Sequence, residues 1–590
     1  MVKIPLNPNF LSMKKFIYSL TCLLVLQCIL HIESCNAQNA PVISNLTYDS
    51  IKQTGVTLFW TTNVPADSKI RWMAPDSNYQ AIVYTDSIYL SAAVTNHVVP
   101  VGSLLPATIY KYQVISQGTG GTALDSGYFV TQSASSGTME VYFSHTVDTS
   151  VSTGEKANGR QNFETLLDNQ INKANYSIDM TLWSFQDITS VAQDLINAKN
   201  RGVKIRFVYN STGDTPLIDS LRKYGIPIMK RNYDTTCSMH NKFWIFDYRY
   251  NTNANTKYLW TGSTNVTHPQ FHSDRNNVIL IQDESLCAIY TREFEQMWGS
   301  HTDMKDSLKA KFGPEKTDNV PHILNVAGTR MEVYFSPADS VSSLLCNLIL
   351  AKTTKGVFFC MYKFTLPAIE NALHTVFMDG KGISGVFDSS ESVKRGCAYP
   401  QMKGTADSNA WNPHADVFID TIPGLLHHKY FIIDANSSSG SKITGTGSFN
   451  WEPLACSCND ENYLIIYNAR INNLYYQEFL ARYIESGGEV LDFGIGNTGT
   501  EVPLGFSLSQ NYPNPFYPST SIKYYVSTTS QVKILVYDMM GHEIQTLVNA
   551  TLYPGTYEST FDGSSLNSGV YFYKMFAGND SETKIMVLKK

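Results

Sequence analysis

The middle of the chain alternates strand-like and helix-like apolar patterns, and it does so twice. The segment "MEVYFS" opens the first copy at 139–144 and the second copy at 331–336. Each copy continues with an apolar strand, a segment whose apolar residues recur at helical spacing, and a second strand. Such alternation predicts a layered α/β fold with a parallel or mixed sheet. The recurrence predicts a duplicated domain, with halves at 138–318 and 329–490.

The two ends of the chain show a different pattern. Short alternating strands separated by Gly, Asn, Asp and Pro occupy 38–135, and a Pro/Asn/Ser-rich stretch followed by further strands occupies 500–590. Short strands at this spacing predict all-β sandwiches. The expected fold class is therefore multidomain: a central duplicated α/β pseudo-dimer with α-β-α layers, flanked by N- and C-terminal all-β sandwich domains.

The segment 1–37 has the features of a secretory signal peptide. Lys14 and Lys15 precede the apolar run "FIYSLTCLLVLQCIL", and a small residue, Ala37, stands at the expected cleavage position. A membrane anchor is the alternative, but the apolar run is short for a membrane span. The pattern predicts an exported protein.

Polar residues interrupt two otherwise apolar strands, "MHNKFWIFD" at 239–247 and "LHHKYFIID" at 426–434. The shared residues are His240, Lys242 and Asp247 in the first copy and His427, Lys429 and Asp434 in the second. Residues two apart on a strand point to the same side, so each His and Lys should share a face. An imidazole can attack or protonate a phosphate ester while an ammonium neutralises its oxygens. Each Asp is seven residues after its His and should point to the opposite face of the strand. It either orients an imidazole or holds the end of the strand in place structurally.

Each motif is followed by a returning strand that ends in Gly-Ser-x-Asn. The polar residues are Ser263 and Asn265 in the first copy and Ser448 and Asn450 in the second. Hydroxyl and amide groups can donate hydrogen bonds to phosphate oxygens, so these residues, with both lysines, are expected to bind phosphate. Further on, Glu461 of the second copy stands where the first copy has Asn276. A carboxylate could therefore support a histidine on one side only.

The charge and the cysteine content argue against two classes of function, nucleic-acid binding and metal-dependent chemistry. The net charge is −6 at pH 7, and the duplicated region has no basic excess, which argues mildly against a protein dedicated to nucleic acid. Three of the ten cysteines lie in the signal segment, and the others are expected to be mostly core residues with one or two possible disulfides. Cys456-x-Cys458 lacks zinc-ligand partners at a usable spacing, so no metal and no cofactor are expected.

The paired motifs resemble the phospholipase D superfamily, whose signature is H-x-K-x4-D followed by G-S-x-N. The resemblance covers roughly 138–490 and implies that the two halves form one active site about a pseudo-twofold axis. It also implies a metal-free reaction in which one histidine forms a phosphohistidine and the other protonates the leaving alcohol and then activates water. The resemblance assigns the nucleophile to His240 and the acid/base role to His427, and the reverse assignment stays open.

The flanking regions resemble known families too. Trp60 and Tyr110, the latter at a tyrosine-corner position, resemble those of a fibronectin type III domain. The blocks "NYPNPF", "VYDMMGHEI", "LNSGVYFYK" and "KIMVLKK" closely resemble a type A sorting domain of the type IX secretion system of Gram-negative bacteria. The second resemblance implies transport by the type IX secretion machinery to a secreted or outer-cell-surface location.

The expected function is a secreted phospholipase D-type phosphoric diester hydrolase that removes phospholipid head groups at a membrane surface and leaves phosphatidic acid. A secreted metal-independent nuclease of the same superfamily is the alternative, and nucleic acid would then be the substrate. The second alternative is a surface adhesion protein with an inactive core. Two intact motifs count against that possibility.

Overall fold

The computed structural model describes residues 39–73, 84–210, 215–231, 237–435, 437, 440–488, 506–526, 530–552, 555–578 and 580–590. The predicted signal peptide at 1–37 lies outside the described residues. No helix in the described ranges has both the length and the apolar character needed to cross a membrane.

The N-terminal region is all-β. Its antiparallel strands are β1 (Ile43–Lys52), β2 (Gly55–Met73), β3 (Asp86–Val101), β4 (Ile109–Gly118) and β5 (Gly121–Val130). Strand β2 is long because it runs on through Pro65, where its pairing with β3 is irregular and the chain does not turn. The Tyr110 hydroxyl accepts a hydrogen bond from the Leu105 backbone N–H at 2.9 Å, the expected corner bond. This architecture is consistent with a fibronectin type III-like domain.

The first half of the central region contains a mixed sheet of seven strands in the order β6-β12-β11-β10-β7-β8-β9. The strands are β6 (Met139–Phe143), β7 (Ser177–Leu182), β8 (Lys204–Tyr209), β9 (Ile228–Lys230), β10 (Phe243–Phe246), β11 (Tyr258–Gly262) and β12 (Asn277–Gln282). The helices are α1 (Phe163–Lys173), α2 (Thr189–Asn200), α3 (Pro216–Lys223), α4 (His268–His272) and α5 (Glu284–Trp298). Strands β7, β8 and β9 are parallel, as expected for strands joined through a helix.

The second half contains a mixed sheet of eight strands in the order β13-β14-β20-β19-β18-β15-β16-β17. The strands are β13 (Ile323–Val326), β14 (Thr329–Ser336), β15 (Gly356–Met361), β16 (Gly382–Asp388), β17 (Asp416–Asp420), β18 (Lys429–Ile433), β19 (Ile443–Gly447) and β20 (Glu461–Tyr467). The helices are α6 (Val341–Lys352), α7 (Pro367–Met378), α8 (Ser389–Ser392), α9 (Tyr399–Met402), α10 (Pro453–Ser457) and α11 (Ala469–Glu485). Apart from β13, the strand order repeats that of the first half.

The two halves share one apolar core. A single cluster of buried side chains includes Tyr290 and Trp298 of α5, Tyr475 and Phe479 of α11, and residues of both sheets. A disulfide between Cys237 and Cys458 also joins the halves, with a Cα–Cα distance of 5.3 Å. The sequence predicted one or two possible disulfides without indicating the pairing, and this pair spans 221 residues.

The C-terminal region packs two antiparallel sheets around a core of its own. The strands are β21 (Ser507–Leu508), β22 (Ser519–Val526), β23 (Ser530–Tyr537), β24 (Glu543–Leu552), β25 (Gly555–Asp562), β26 (Gly569–Ala577) and β27 (Asp580–Leu588). Strands β21, β22 and β25 form one sheet, and the other four form the second. The predicted all-β character of this region is confirmed.

Candidate active site

The first motif was predicted to lie inside a strand. In the structure, β10 begins only at Phe243, after His240 and Lys242. The His240 backbone N–H donates to the Asp460 carbonyl at 2.8 Å, and the Lys242 backbone N–H donates to Asn462 Oδ1 at 3.0 Å. Both acceptors belong to the second half of the chain. Because these backbone donors are bonded across the halves, the segment joins the halves and does not extend β10.

The second motif makes the corresponding bond from the second half to the first. The His427 backbone N–H donates to the Arg275 carbonyl of the first half at 2.9 Å. In both motifs the lysine Nζ donates to the carbonyl of its own histidine, at 2.9 Å for Lys242 and 2.8 Å for Lys429. Each ammonium is therefore held beside its histidine at the junction of the halves.

The four motif side chains form one electrostatic cluster. Burial lowers the pKa of His240 and of His427 well below the ordinary value, and the ammonium groups of Lys242 and Lys429 lower both further. Burial also lowers the pKa of Lys242 to about 7 and that of Lys429 well below its ordinary value. The cluster thus contains two buried lysine amines whose charged form a bound anion would stabilise.

Each histidine is supported at Nδ1 by a residue from the opposite half. Glu461 Oε2 lies 2.7 Å from His240 Nδ1, whereas Asn276 Oδ1 lies 3.1 Å from His427 Nδ1. Burial raises the pKa of Glu461 to about 7, and Lys242 opposes that rise. The sequence predicted that a carboxylate supports only one of the two histidines. In the structure that histidine is His240 of the first half, and the carboxylate comes from Glu461 of the second half.

The two serines, predicted to bind phosphate, are already engaged. Ser263 Oγ donates to Asn276 Oδ1 at 2.7 Å, and Ser448 Oγ donates to Glu461 Oε2 at 2.6 Å. A hydroxyl has one proton to donate, so neither serine has a donor left for phosphate. In this structure they position the residues that support the histidines, and phosphate binding by the serines stays a prediction.

The two asparagines of Gly-Ser-x-Asn differ from each other. Asn265 Oδ1 accepts from the Ser184 backbone N–H at 3.3 Å, and its Nδ2 donates to Gln270 Oε1 at 3.2 Å. Asn450 Nδ2 lies 3.4 Å from Glu452 Oε1, a weak bond. Asn450 Oδ1 is buried without a hydrogen-bond partner among the described residues. Phosphate binding by these asparagines stays a prediction.

The aspartates of both motifs accept hydrogen bonds from the backbone, as in the structural alternative, and a direct catalytic role for them stays a prediction. Asp247 lies at the end of β10 remote from His240, and its carboxylate accepts from the backbone N–H groups of 175–177, the shortest bond being 2.7 Å. Asp434 accepts in the same way from the backbone N–H groups of 354–356, again at 2.7 Å for the shortest bond. Each carboxylate therefore ties the end of its strand to the turn that precedes the neighbouring antiparallel strand, β7 or β15.

We expect Asp247→Asn to lower the free energy of unfolding by about 1–3 kcal/mol, because an amide cannot accept from three N–H groups and its NH₂ group faces donors. The backbone at Asp247 has φ = 55°, which Asn tolerates, so no strain is added. Guanidinium denaturation would measure the change, with the exposed Asp219→Asn as control. Unchanged stability together with lost catalysis would instead support the direct catalytic role.

The lowered lysine pKa values predict how anion binding depends on pH. A bound anion favours the charged ammonium, so affinity should be highest below the pKa of Lys242, about 7, and fall as pH rises through it. Sulfate is a suitable probe because its charge is constant in this range. We expect its Kd, measured by calorimetry, to rise up to about tenfold per pH unit above 7. A Lys242→Arg control should weaken that dependence, and a pH-independent wild-type Kd would contradict the account.

Several site residues were not predicted from sequence. The ring of Trp183 lies 6.2 Å from that of His240, and the ring of Tyr362 lies 4.9 Å from that of His427. Each aromatic residue directly follows an equivalent strand, β7 or β15, and this position after the repeat was the signal available in the sequence. Gln270 also reaches His427, whereas His428 points into the core and pairs with Glu478 at 3.0 Å.

Paired imidazole and ammonium groups, buried where two similar α/β halves meet, define a centre suited to phosphodiester chemistry. The family description "Cardiolipin synthase, PLD-like domain" matches 167–298 and 345–483, and "Secretion system C-terminal sorting domain" matches 510–589. The central region therefore belongs to the phospholipase D superfamily, and the C-terminal region is a type IX secretion sorting domain. The sorting domain indicates a secreted or outer-cell-surface protein.

Individual relatives are distant. Human mitochondrial cardiolipin hydrolase is 27% identical over 141 residues, which are 24% of this chain and 50% of that protein. Phospholipase D of Rickettsia bellii is 29% identical over 186 residues, or 32% of this chain and 85% of that protein. The chain thus spans half the length of the human relative. The solved structure of Nuc, a phospholipase D family member from Salmonella typhimurium, is 24% identical, covers 26% of this chain and 94% of its own, and has a TM-score of 0.23.

Proposed function

We propose that the protein is an exported phospholipase D-type phosphodiesterase that removes head groups from phospholipids. The observation that carries the proposal is the single cluster at the junction of the halves, where half-buried His240 meets the buried side chains of Lys242, His427 and Lys429. Both ammonium groups act there on both histidines. Superfamily membership supports a phosphodiester substrate. The relatives named cardiolipin hydrolase and phospholipase D support a phospholipid.

In the proposed first step, His240 Nε2 attacks phosphorus and the bond from phosphorus to the head-group oxygen breaks. His427, which takes up a proton at Nε2 when the anionic diester binds, gives that proton to the departing alcohol. In the second step, neutral His427 takes a proton from water, the hydroxide oxygen attacks phosphorus, and the phosphorus–His240 bond breaks to release phosphatidic acid. Lys242 and Lys429 balance the negative charge of the phosphoryl oxygens in both transition states.

The choice of His240 as nucleophile rests on the asymmetry between Glu461 and Asn276. A phosphorylated imidazole that keeps its Nδ1 proton carries a positive charge. The Glu461 carboxylate, 2.7 Å from His240 Nδ1, can stabilise that charge, whereas a neutral amide stabilises it less. The residue that supports His427 is such an amide, so the covalent intermediate is expected on His240.

We further propose that 138–318 and 329–490 form a pseudo-dimer of unlike halves. Arg231 Nη1 of the first half pairs with Asp460 of the second at 2.7 Å. At the corresponding positions the charges are exchanged, because Asp420 of the second half pairs with Arg275 of the first. Like-with-like pairing would face Arg231 with Arg275, and Asp420 with Asp460, at buried sites. Such repulsion favours pairing of one half with the other.

The test uses the exported chain in buffer with EDTA, presented with vesicles of phosphatidylcholine, phosphatidylethanolamine and cardiolipin and, separately, with single-stranded DNA. Phosphatidic acid or its cardiolipin counterpart, lost in His240→Ala and retained in the exposed His268→Ala, is the expected result. Cleavage of DNA without lipid turnover would replace the proposal by the nuclease alternative. No reaction with either substrate would contradict both activities and favour an inactive surface protein.

A further inference from the structure

The two histidines of the site also differ at the second ring nitrogen. The side-chain amide Nε2 of Gln270 lies 3.3 Å from Nε2 of His427. Gln270 Oε1 accepts from the Asn265 backbone N–H at 2.6 Å. Because a backbone N–H can only donate, the Gln270 oxygen must face Asn265, and the NH₂ group must face the histidine.

The other side of the His427 ring fixes its tautomer. Asn276 Nδ2 donates to the backbone carbonyl of Gln270 at 3.0 Å. Asn276 Oδ1 is therefore the atom that faces His427 Nδ1, 3.1 Å away. An amide oxygen can only accept, so Nδ1 carries the ring proton. His427 Nε2 is then the acceptor of the Gln270 N–H, and the ring is neutral.

Among the described residues of the second half, none makes the corresponding contact to His240. Gln270 lies eight residues after Gly262, and the residue at the same distance from Gly447 is Ala455. An alanine side chain offers no hydrogen-bonding group to His240. One histidine is therefore capped at the nitrogen that would attack phosphorus, and the other is not.

We propose that Gln270 is a positioning residue that holds His427 as the neutral Nδ1–H tautomer and covers its Nε2, so that covalent attack is confined to His240. The inference rests on the proposed function, which it extends by assigning the asymmetry of the two histidines to one side chain. When His427 gains a proton at Nε2, the Gln270 bond must break. Gln270 thus favours the base form of His427 and makes its conjugate acid a stronger proton donor.

Other groups also act on His427. Burial lowers its pKa, Lys429, Lys242 and His240 lower it further, and a hydrogen bond with the Ser263 backbone opposes that lowering. The ring of Tyr362 packs against it. None of these groups accepts a proton from Nε2 in the way that a carboxylate would. The contribution of Gln270 is therefore separable, because it can be removed while the surrounding charges stay in place.

Diethyl pyrocarbonate tests the inference without any substrate, because it acylates neutral imidazole nitrogen. Labelling of His240 and His427 would be followed by peptide mass spectrometry from pH 5 to 9 in the full chain. Gln270→Met keeps a similar side-chain length but has no N–H. Gln270→Glu keeps the acceptor for Asn265 and places a carboxylate beside Nε2. Circular dichroism would establish that both variants are folded.

In Gln270→Met we expect the midpoint pH for labelling His427 to rise by about one unit and its limiting rate to increase several-fold. The rise in midpoint should be larger in Gln270→Glu, and His240 should be unaffected in both. Unchanged His427 labelling in both variants, or equal changes at both histidines, would overturn the inference. Since no diester is consumed, a protein that fails to hydrolyse phospholipid can still show the expected shift, which separates the two proposals.

Discussion

Replacing His240 by alanine is expected to reduce diester hydrolysis at least about a thousandfold, because the attacking nitrogen is lost and water must then attack phosphorus directly. Bis(p-nitrophenyl) phosphate in EDTA is a suitable substrate, since it favours neither the lipid nor the nucleic acid interpretation. His268→Ala is the matched control. His268 is exposed on α4, and its ring lies 4.5 Å from that of His272, outside the cluster.

The control variant should keep at least half of the wild-type rate. Activity of His240→Ala within tenfold of the wild-type protein would contradict the assignment. If the residual reaction also formed an adduct on His427, the roles of the two histidines would be reversed. Equal losses in His240→Ala and His268→Ala would point instead to a general loss of folded protein.

The second large effect is expected for Glu461→Gln, which should lower kcat about a hundredfold. Glutamine fits the same space and can still accept from His240 Nδ1, but it carries no charge to stabilise the phosphorylated imidazole. Stopped-flow measurement of p-nitrophenolate should show that the loss falls on the formation of the intermediate. The expected KM changes little, because Glu461 contacts the histidine and not the substrate.

The chain contains a matched control for this variant. Glu164 lies 3.2 Å from His272 Nε2, so Glu164→Gln removes a carboxylate from another imidazole–carboxylate pair. We expect it to leave kcat within twofold. If Glu461→Gln were equally mild, the carboxylate would not be stabilising the intermediate, and the argument that selects His240 would fail.

The sequence predicted those parts of the site that depend on local repetition. The two His-x-Lys motifs, the Gly-Ser-x-Asn elements and the repeated strand and helix patterns are each visible within a short stretch of chain. The strand orders of the two sheets agree apart from β13, as a duplication requires. The difference between Glu461 and Asn276 was also visible, because both follow Gly-Ser-x-Asn at the same distance.

The contacts that cross the junction could not be predicted in this way. Glu461 follows the second motif but supports His240 of the first, and the Cys237–Cys458 disulfide joins residues 221 positions apart. Such pairings depend on how the halves pack, which no local pattern records. The aspartates were ambiguous for a related reason, since the backbone N–H groups bound by Asp247 lie about 70 residues upstream.

The strand pattern itself misled at one point. The apolar run after Lys242 correctly predicted β10, but extending the strand back to His240 was wrong. The alternation of side chains is the same in an extended segment that pairs with another part of the molecule. Only the hydrogen bonds from His240 and Lys242 to the second half distinguish the two cases.

The most direct test of the central claim is a pre-steady-state burst experiment on His427→Ala with an excess of bis(p-nitrophenyl) phosphate in EDTA. p-Nitrophenolate leaves without a proton donor, so the first step should proceed, whereas water should react slowly without His427 as base. The account predicts a burst of about one p-nitrophenolate per chain, with a phosphoryl adduct on the peptide containing His240. Steady turnover without a burst, or an adduct on any other residue, would contradict it.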